Sequence, residues 1–271
     1  MNGMLKINDL LKTAIKASIE AGEAIMEIYD TAFEVEYKDD KSPLTQADKN
    51  ANTIINTYLV PTEIPIISEE NKQVDYEVRK NWSTCWVVDP VDGTKEFIKR
   101  NGEFTVNIAL VTNGHPLLGV IYVPATKTLY FADVEQNHAF KTELSAHNTP
   151  IEEIIDKSKA LKPKLDDLDI IQVVGSRSHM NQETINFVES LKAKGKKVEI
   201  VSKGSSLKFC LIAEGNADIY PRYAPTMEWD TAAGQAICNA VGVEVISKDT
   251  EHPLLYNKEN LLNPWFLVSK K

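Results

Sequence analysis

The run Trp86-Val87-Val88-Asp89-Pro90-Val91-Asp92-Gly93-Thr94 constrains this chain more than any other stretch. Its leading apolar residues read as a buried strand, and that strand ends in two carboxylates three positions apart. Pro90 fixes its own φ between them and stiffens the turn. Gly93 permits a tight backbone path, and residues 94–99 can start a short helix. Two acids at a strand end suit a hard, oxygen-loving cation such as Mg²⁺, and the helix start behind them offers free backbone N–H groups to a phosphate. Cation and phosphate in one turn suggest metal-assisted phosphate chemistry. Asp and Gly are also ordinary turn residues, so Asp-x-x-Asp alone would mark only a capped junction. The apolar strand before the acids, the rigid Pro and the following Gly-Thr favour a site.

Around this run the patterning is that of a mixed α/β chain. Leu10, Leu11, Ile15, Ile19, Ala24, Ile25 and Ile28 recur at helical spacing and predict an amphipathic helix over 5–29. Residues 33–38 alternate like a strand, 38–42 form a polar loop, and a second helix is expected over 44–59 after Pro43. A short strand over 64–68 stops at Glu69-Glu70. After the acidic turn come β signals over 104–111, 117–123, 128–132 and 138–141, punctuated by Pro116 and Pro124, which predict an antiparallel meander. Residues 142–169 are polar and are the best candidate for a domain junction. Beyond them, strands over 170–174, 198–201, 217–220 and 243–246 alternate with helices over 182–194, 207–214 and 231–240, the order of an α/β unit. No internal repeat or low-complexity tract interrupts this order.

The chain has 271 residues, enough for one large domain or two ordinary ones. A formal net charge of −9 disfavours a broad electrostatic grip on polymeric nucleic acid or anionic membrane. Cys85, Cys210 and Cys238 are too few and scattered for a disulfide framework or zinc knuckle, and as buried thiols they suit a reducing cytosol. The N-terminus lacks the basic segment and apolar core of a signal peptide, and no apolar stretch is long enough to span a membrane. The expectation is a soluble cytoplasmic protein without stable membrane insertion, with peripheral association at the inner face of the membrane compatible with it.

Other places look chemical. Glu69 and Glu70 emerge at a strand end, as the Asp89 pair does, and supply a third carboxylate if the two turns meet. Asp48 sits on the second helix, where a solvated face is the ordinary reading. Asp230, in Glu228-Trp229-Asp230-Thr231-Ala232-Ala233-Gly234, occupies an expected N-cap, and the small residues after it allow close approach by another element. Gly175-Ser176-Arg177-Ser178-His179 and Ser202-Lys203-Gly204-Ser205-Ser206-Leu207-Lys208 each put hydroxyls and a base at a strand-to-helix junction. That combination suits an anion as well as ordinary capping.

Taken together, these segments resemble the lithium-sensitive inositol monophosphatase superfamily. Its pattern is Asp-Pro-(Ile/Leu/Val)-Asp-Gly-Thr after a strand, an upstream Glu-Glu, and a downstream Trp-Asp before a small-residue helix. All three occur here in that order. Within the superfamily the chain is similar to the CysQ-type 3′(2′),5′-bisphosphate nucleotidases. The similarity rests on DPVDGTKEFIKRNGEFTVNIAL (89–110), GSRSH (175–179), GSSLKFCLIAEG (204–215) and YPRYAPTMEWDTAAG (220–234). It extends along essentially the whole chain and is weakest over 142–169.

The resemblance implies a layered αβαβα sandwich of the inositol monophosphatase and fructose-1,6-bisphosphatase type. An N-terminal α+β domain (1–145) would carry most metal ligands, and a C-terminal α/β domain (146–271) would complete the substrate site. It further implies two or three Mg²⁺ ions held by Glu69, Asp89, Asp92, Asp230 and the Val91 carbonyl. Thr94 and Asp48 would orient and deprotonate the attacking water. The backbone around Gly93 and Thr94 would receive the scissile phosphate, and Asp230 would also meet the substrate. Ser176, His179, Ser205, Lys208 and Arg222 would hold a nucleotide and its 5′-phosphate. The implied reaction is hydrolysis of 3′-phosphoadenosine 5′-phosphate to AMP and phosphate, in support of sulfate assimilation and without a covalent enzyme intermediate. An inositol or other sugar-phosphate phosphatase of the same fold is the alternative. A catalytically silent nucleotide sensor is a more remote one, since it predicts loss of a metal carboxylate or of Thr94, and all are present.

Overall fold

The computed structural model describes residues 8–30, 35–37, 43–146, 148–164, 169–175 and 180–270. Asn8 accepts the backbone N–H of Leu10 at 2.9 Å and opens α1 (Asp9–Tyr29). Leu11, Ile15, Ile19, Gly22 and Ile25 form its buried stripe at helical spacing. Each Leu or Ile taken fully from water there contributes about 1.5–3 kcal/mol. The short strands β1 (Val35–Tyr37) and β2 (Pro43–Thr45) pair antiparallel, so α2 (Gln46–Leu59) starts two residues later than its periodicity predicts. The reason is that the backbone of Leu44 and Thr45 is taken up by Val35 and Glu36. The polar loop expected over 38–42 lies outside the described residues.

Seven strands then build the first sheet in the order β3-β4-β5-β6-β7-β8-β9. They are β3 (Ile66–Ser68), β4 (Thr84–Asp92), β5 (Thr105–Thr112), β6 (His115–Val123), β7 (Thr128–Asp133), β8 (His138–Glu143) and β9 (Lys159–Ala160). Short helices α3 (Tyr76–Arg79) and α4 (Thr94–Ile98) flank β4, and α5 (Ile151–Lys157) precedes β9. β3 runs parallel to β4, and the strands from β4 to β8 form the antiparallel meander expected. The polar segment 142–169 does not simply leave this sheet, because β9 pairs with β8 at its edge.

The second sheet has the order β11-β10-β12-β14-β13, from β10 (Ile170–Val174), β11 (Lys197–Val201), β12 (Ile219–Arg222), β13 (Val243–Ser247) and β14 (Phe266–Lys270). Helices α6 (Gln182–Ala193), α7 (Leu207–Ala213) and α8 (Ala232–Asn239) connect its strands. β10 pairs parallel with β11 and β12, whereas β14 lies antiparallel between β12 and β13. The alternation after residue 170 therefore ends in a mixed sheet.

Period-two alternation decides the layering. Trp86, Val88, Ile108 and Val120 face α1 and α2, while Val87, Ala109, Val111 and Ile121 face α7 and α8. Phe209, Ile237 and Cys238 of those helices also touch Val245, Phe266 and Val268 of the second sheet. Val188 of α6 covers the opposite face of that sheet with Ile171 and Val173. The result is the five-layer αβαβα sandwich. The small residues of α8 allow the close packing expected of them: a Cβ on Gly234 would sit 2.4 Å from the Phe209 ring. Among the described residues no helix is long and apolar enough to cross a membrane.

Candidate active site

Asp89 and Asp92 are three residues apart, so on a regular strand their side chains would point to opposite faces. The β4–β5 register pairs Asp89 with Asn107 and Asp92 with Thr105, leaving one extra residue on β4. This bulge, at the position of Pro90, sends both acids toward α7 and α8. Asp230 arrives from the other direction, at the end of the helical turn Glu228–Asp230 between the two sheets. Carboxylate oxygens of Asp89, Asp92 and Asp230 all lie within 4.8 Å of one another.

Each acid is held by its own contacts. Asp89 is buried, and its Oδ1 accepts the Val91 N–H at 3.0 Å. Oδ2 of Asp92 accepts the Ser206 hydroxyl at 2.7 Å, the Asn107 amide at 3.3 Å and the Thr105 hydroxyl at 3.4 Å. Oδ2 of Asp230 accepts the Met227 N–H at 2.7 Å and closes a capping box on its own turn. Asp230 thus caps the turn before α8 rather than α8 itself, whose N-cap is Thr231. Among the described residues no Lys or Arg forms an ion pair with any of the three acids.

Glu69 follows β3, with its backbone N–H on the Val88 carbonyl at 3.2 Å, and so stands beside Asp89. It is half-buried and lies outside the close trio, though its charge reaches Asp89 and Asp230. Asp48, in the first turn of α2, is buried rather than solvated, and its charge also acts on Asp89. Burial first, then the charges of Glu69, Asp92, Asp230 and Asp48, hold the Asp89 carboxyl well above the usual carboxylate range. Burial and then Asp92 push Asp230 up to about 7, against the pull of the Met227 N–H. Such a cluster repels itself unless protons or a cation enter.

Gly93 takes φ +93°, the left-handed region that a side chain resists, and a Cβ there would meet Ser205 Oγ at 2.0 Å. Thr94 then opens α4, and its hydroxyl reaches the carbonyl of the buried Val91 at 3.5 Å. Ser205 donates to the Asp92 carbonyl at 2.8 Å, bringing the loop before α7 onto the acidic turn. Lys208 Nζ donates to the Ser205 carbonyl at 3.0 Å, and burial lowers its pKa while Asp92 raises it. Arg222 Nη2 reaches the Pro225 carbonyl at 3.2 Å, while its buried Nε has no partner among the described residues. Ser176 and His179 lie outside the described residues.

Three contacts of Asp92 escaped the sequence reading as site residues: Thr105, Asn107 and Ser206. The signal for the first two is polarity at alternate positions of an otherwise apolar strand, on the face that carries Asp89. Ser206 stands within the 202–208 run of hydroxyls and bases that suits an anion, but nothing there links it to Asp92.

The family model described as the inositol monophosphatase family matches residues 6–266. The chain belongs to that family. Within the inositol monophosphatase family, the chain is 43% identical over 264 residues to the 3′(2′),5′-bisphosphate nucleotidase CysQ of Salmonella typhimurium strain LT2, spanning 96% of this chain and 99% of that one. CysQ of Escherichia coli K12 is 42% identical over 265 residues, with the same coverage. The crystal structure of CysQ from Bacteroides thetaiotaomicron superposes with a TM-score of 0.87 at 51% identity, covering 98% and 99% of the two chains. Inositol monophosphatase II of Staphylococcus aureus, at 22% identity and a TM-score of 0.72, shares the fold. The resemblance read from the motifs, and the layered fold it implied, both hold.

Proposed function

We propose that this chain is a Mg²⁺-dependent 3′(2′),5′-bisphosphate nucleotidase that hydrolyses 3′-phosphoadenosine 5′-phosphate to AMP and phosphate, serving sulfate assimilation. The observation that carries the reading is the trio of Asp89, Asp92 and Asp230, buried or half-buried, within 4.8 Å and unpaired with any described cation. An all-oxygen donor set of this charge fits a hard divalent ion. Asp89, Asp92 and Asp230 would hold it, with Glu69 and the Val91 carbonyl as further ligands. Bound there, Mg²⁺ would lower the pKa of a water and offset charge on the phosphate.

The chain's own groups do the rest. The Thr94 hydroxyl orients the attacking water and relays its proton to the buried Asp48 carboxylate, which acts as the base. The backbone at Gly93 and Thr94 receives the scissile phosphate. Ser205, Lys208 and Arg222, with Ser176 and His179, take the 5′-phosphate. The unpartnered Arg222 Nε and the neighbouring Lys208 support an anion at that place. The high similarity to CysQ enzymes over the full chain supports the substrate class.

Phosphate release should be measured with 3′-phosphoadenosine 5′-phosphate, adenosine 3′-monophosphate, inositol 1-phosphate and fructose 1,6-bisphosphate, each with Mg²⁺ and with EDTA. The bisphosphonucleoside should be turned over fastest, and EDTA should abolish the activity. Comparable rates for inositol 1-phosphate would overturn the nucleotidase reading.

A further inference from the structure

The turn that carries Asp230 is anchored at its opposite end by a buried charge. Glu228 is 0% exposed, and its two oxygens are both used. Oε2 accepts the Asn257 N–H at 2.6 Å, and Oε1 accepts the Lys258 N–H at 3.0 Å and Lys258 Nζ at 2.5 Å. Asn257 has φ +61°, so this loop is held in a conformation that most residues resist.

A second buried charge grips the same loop from the first sheet's side. Arg79, the last residue of α3, is 4% exposed. It donates to Asn257 Oδ1 at 3.0 Å and to the carbonyls of Lys258 and Glu259 at 2.5 and 2.7 Å. The Asn257 amide returns a bond to the Arg79 carbonyl at 2.7 Å. Farther along, Asn263 donates to the Met227 carbonyl at 2.7 Å and to the Thr231 hydroxyl at 2.9 Å, one on each side of the Asp230 turn. The Glu228 N–H meets the Leu261 carbonyl at 2.9 Å.

Buried ionic networks add little net stability over apolar residues of the same volume, and in some proteins their role is to select one geometry. The geometry enforced here is that of the turn whose last residue joins Asp89 and Asp92. We propose that Glu228 and Arg79 are positioning residues: through the loop 257–263 they fix the Asp230 carboxylate against the two β4 acids and thereby set the affinity for the divalent ion. The inference rests on the metal site proposed above.

Glu228→Gln is the direct test. Glutamine has one acceptor oxygen and would turn an NH₂ group toward one of the two loop N–H donors. Mg²⁺ binding to the metal-free chain should be followed by calorimetry and by the Mg²⁺ dependence of Tm. The dissociation constant is expected to rise about tenfold or more, with kcat at saturating Mg²⁺ largely recovered. Lys258→Met keeps both loop N–H groups and should give a smaller rise in the same direction, which decides the matter if Glu228→Gln does not fold. A lower Tm with an unchanged Mg²⁺ dissociation constant in these variants would overturn the positioning role and leave the metal site standing. Failure of the unaltered chain to bind Mg²⁺ would overturn both.

Discussion

Oδ2 of Asp92 already receives Ser206, Asn107 and Thr105, and an asparagine can accept those bonds through its amide oxygen. Asp92→Asn should therefore fold normally yet lose nearly all turnover, because it removes one charge from the proposed cation site. The same substitution relieves the repulsion that Asp92 exerts on Asp89 and Asp230, so the metal-free Tm should rise. Phosphate release at saturating Mg²⁺ and a melt in EDTA check both halves, and a wild-type rate would remove Asp92 from the ligand set. Thr94→Ala should lower kcat by about 10²–10⁴-fold with less effect on KM, as expected for a group that serves the water. A change confined to KM would make Thr94 a substrate contact instead. Lys208 is half-buried against the Ser205 carbonyl, not on a solvated helix face. Lys208→Met should cost kcat/KM for the bisphosphate about tenfold to a hundredfold while sparing adenosine 3′-monophosphate. Equal losses for both substrates would place Lys208 elsewhere.

Between elements, the contact of α7 with α8 is the most exacting. Gly234 lies against the face of Phe209, whose ring also meets Tyr220 and Phe266 of the second sheet. Gly234→Ala must push that ring aside in a core with no slack. The expected cost is about 1–3 kcal/mol, read as a lower urea midpoint, and a neutral result would mean that α8 can shift without penalty. α7 bears on the proposed site because the loop at its start carries Ser205 and Ser206 onto Asp92, while Glu214 at its other end meets Tyr130 and Lys141 of the first sheet at 2.7 and 2.8 Å.

At the scale of the whole molecule, the acidic cluster makes stability depend on pH and on the cation. Asp89 and Asp230 have folded-state pKa values above those of the unfolded chain, Asp230 at about 7. Between the two values the folded chain binds more protons, so stability falls as pH rises. The metal-free protein should lose stability from about pH 4 to about pH 7, with a slope of at most about 1.4 kcal/mol per pH unit for each such group. Saturating Mg²⁺ should flatten that fall and raise Tm near neutrality. Melts across this range, with EDTA and with Mg²⁺, measure both effects, and a metal-free stability that rises toward pH 7 would contradict the cluster's electrostatics.

What was legible in the sequence was local. The apolar run ending at Asp89 and Asp92, the spacing of α1, the antiparallel meander and the small residues of α8 each lie within a short window, where period and residue type act directly. The motif order, read with the family resemblance, extended that reading to the layered fold and to Asp48, Glu69 and Asp230 as candidate site residues. Tertiary structure alone decided the rest, because those features depend on partners far along the chain. A bulge opposite Val106 puts Asp89 and Asp92 on one face, a result that residue spacing by itself argues against. Asp48 reads as a solvated helix position until α2 packs against β4 and buries it. β14 takes its place between β12 and β13 because both offer it antiparallel edges. Ser206, Glu228 and Arg79 acquire their roles only where loops from distant segments close around buried charge, since a hydrogen bond between such segments leaves no periodicity to read.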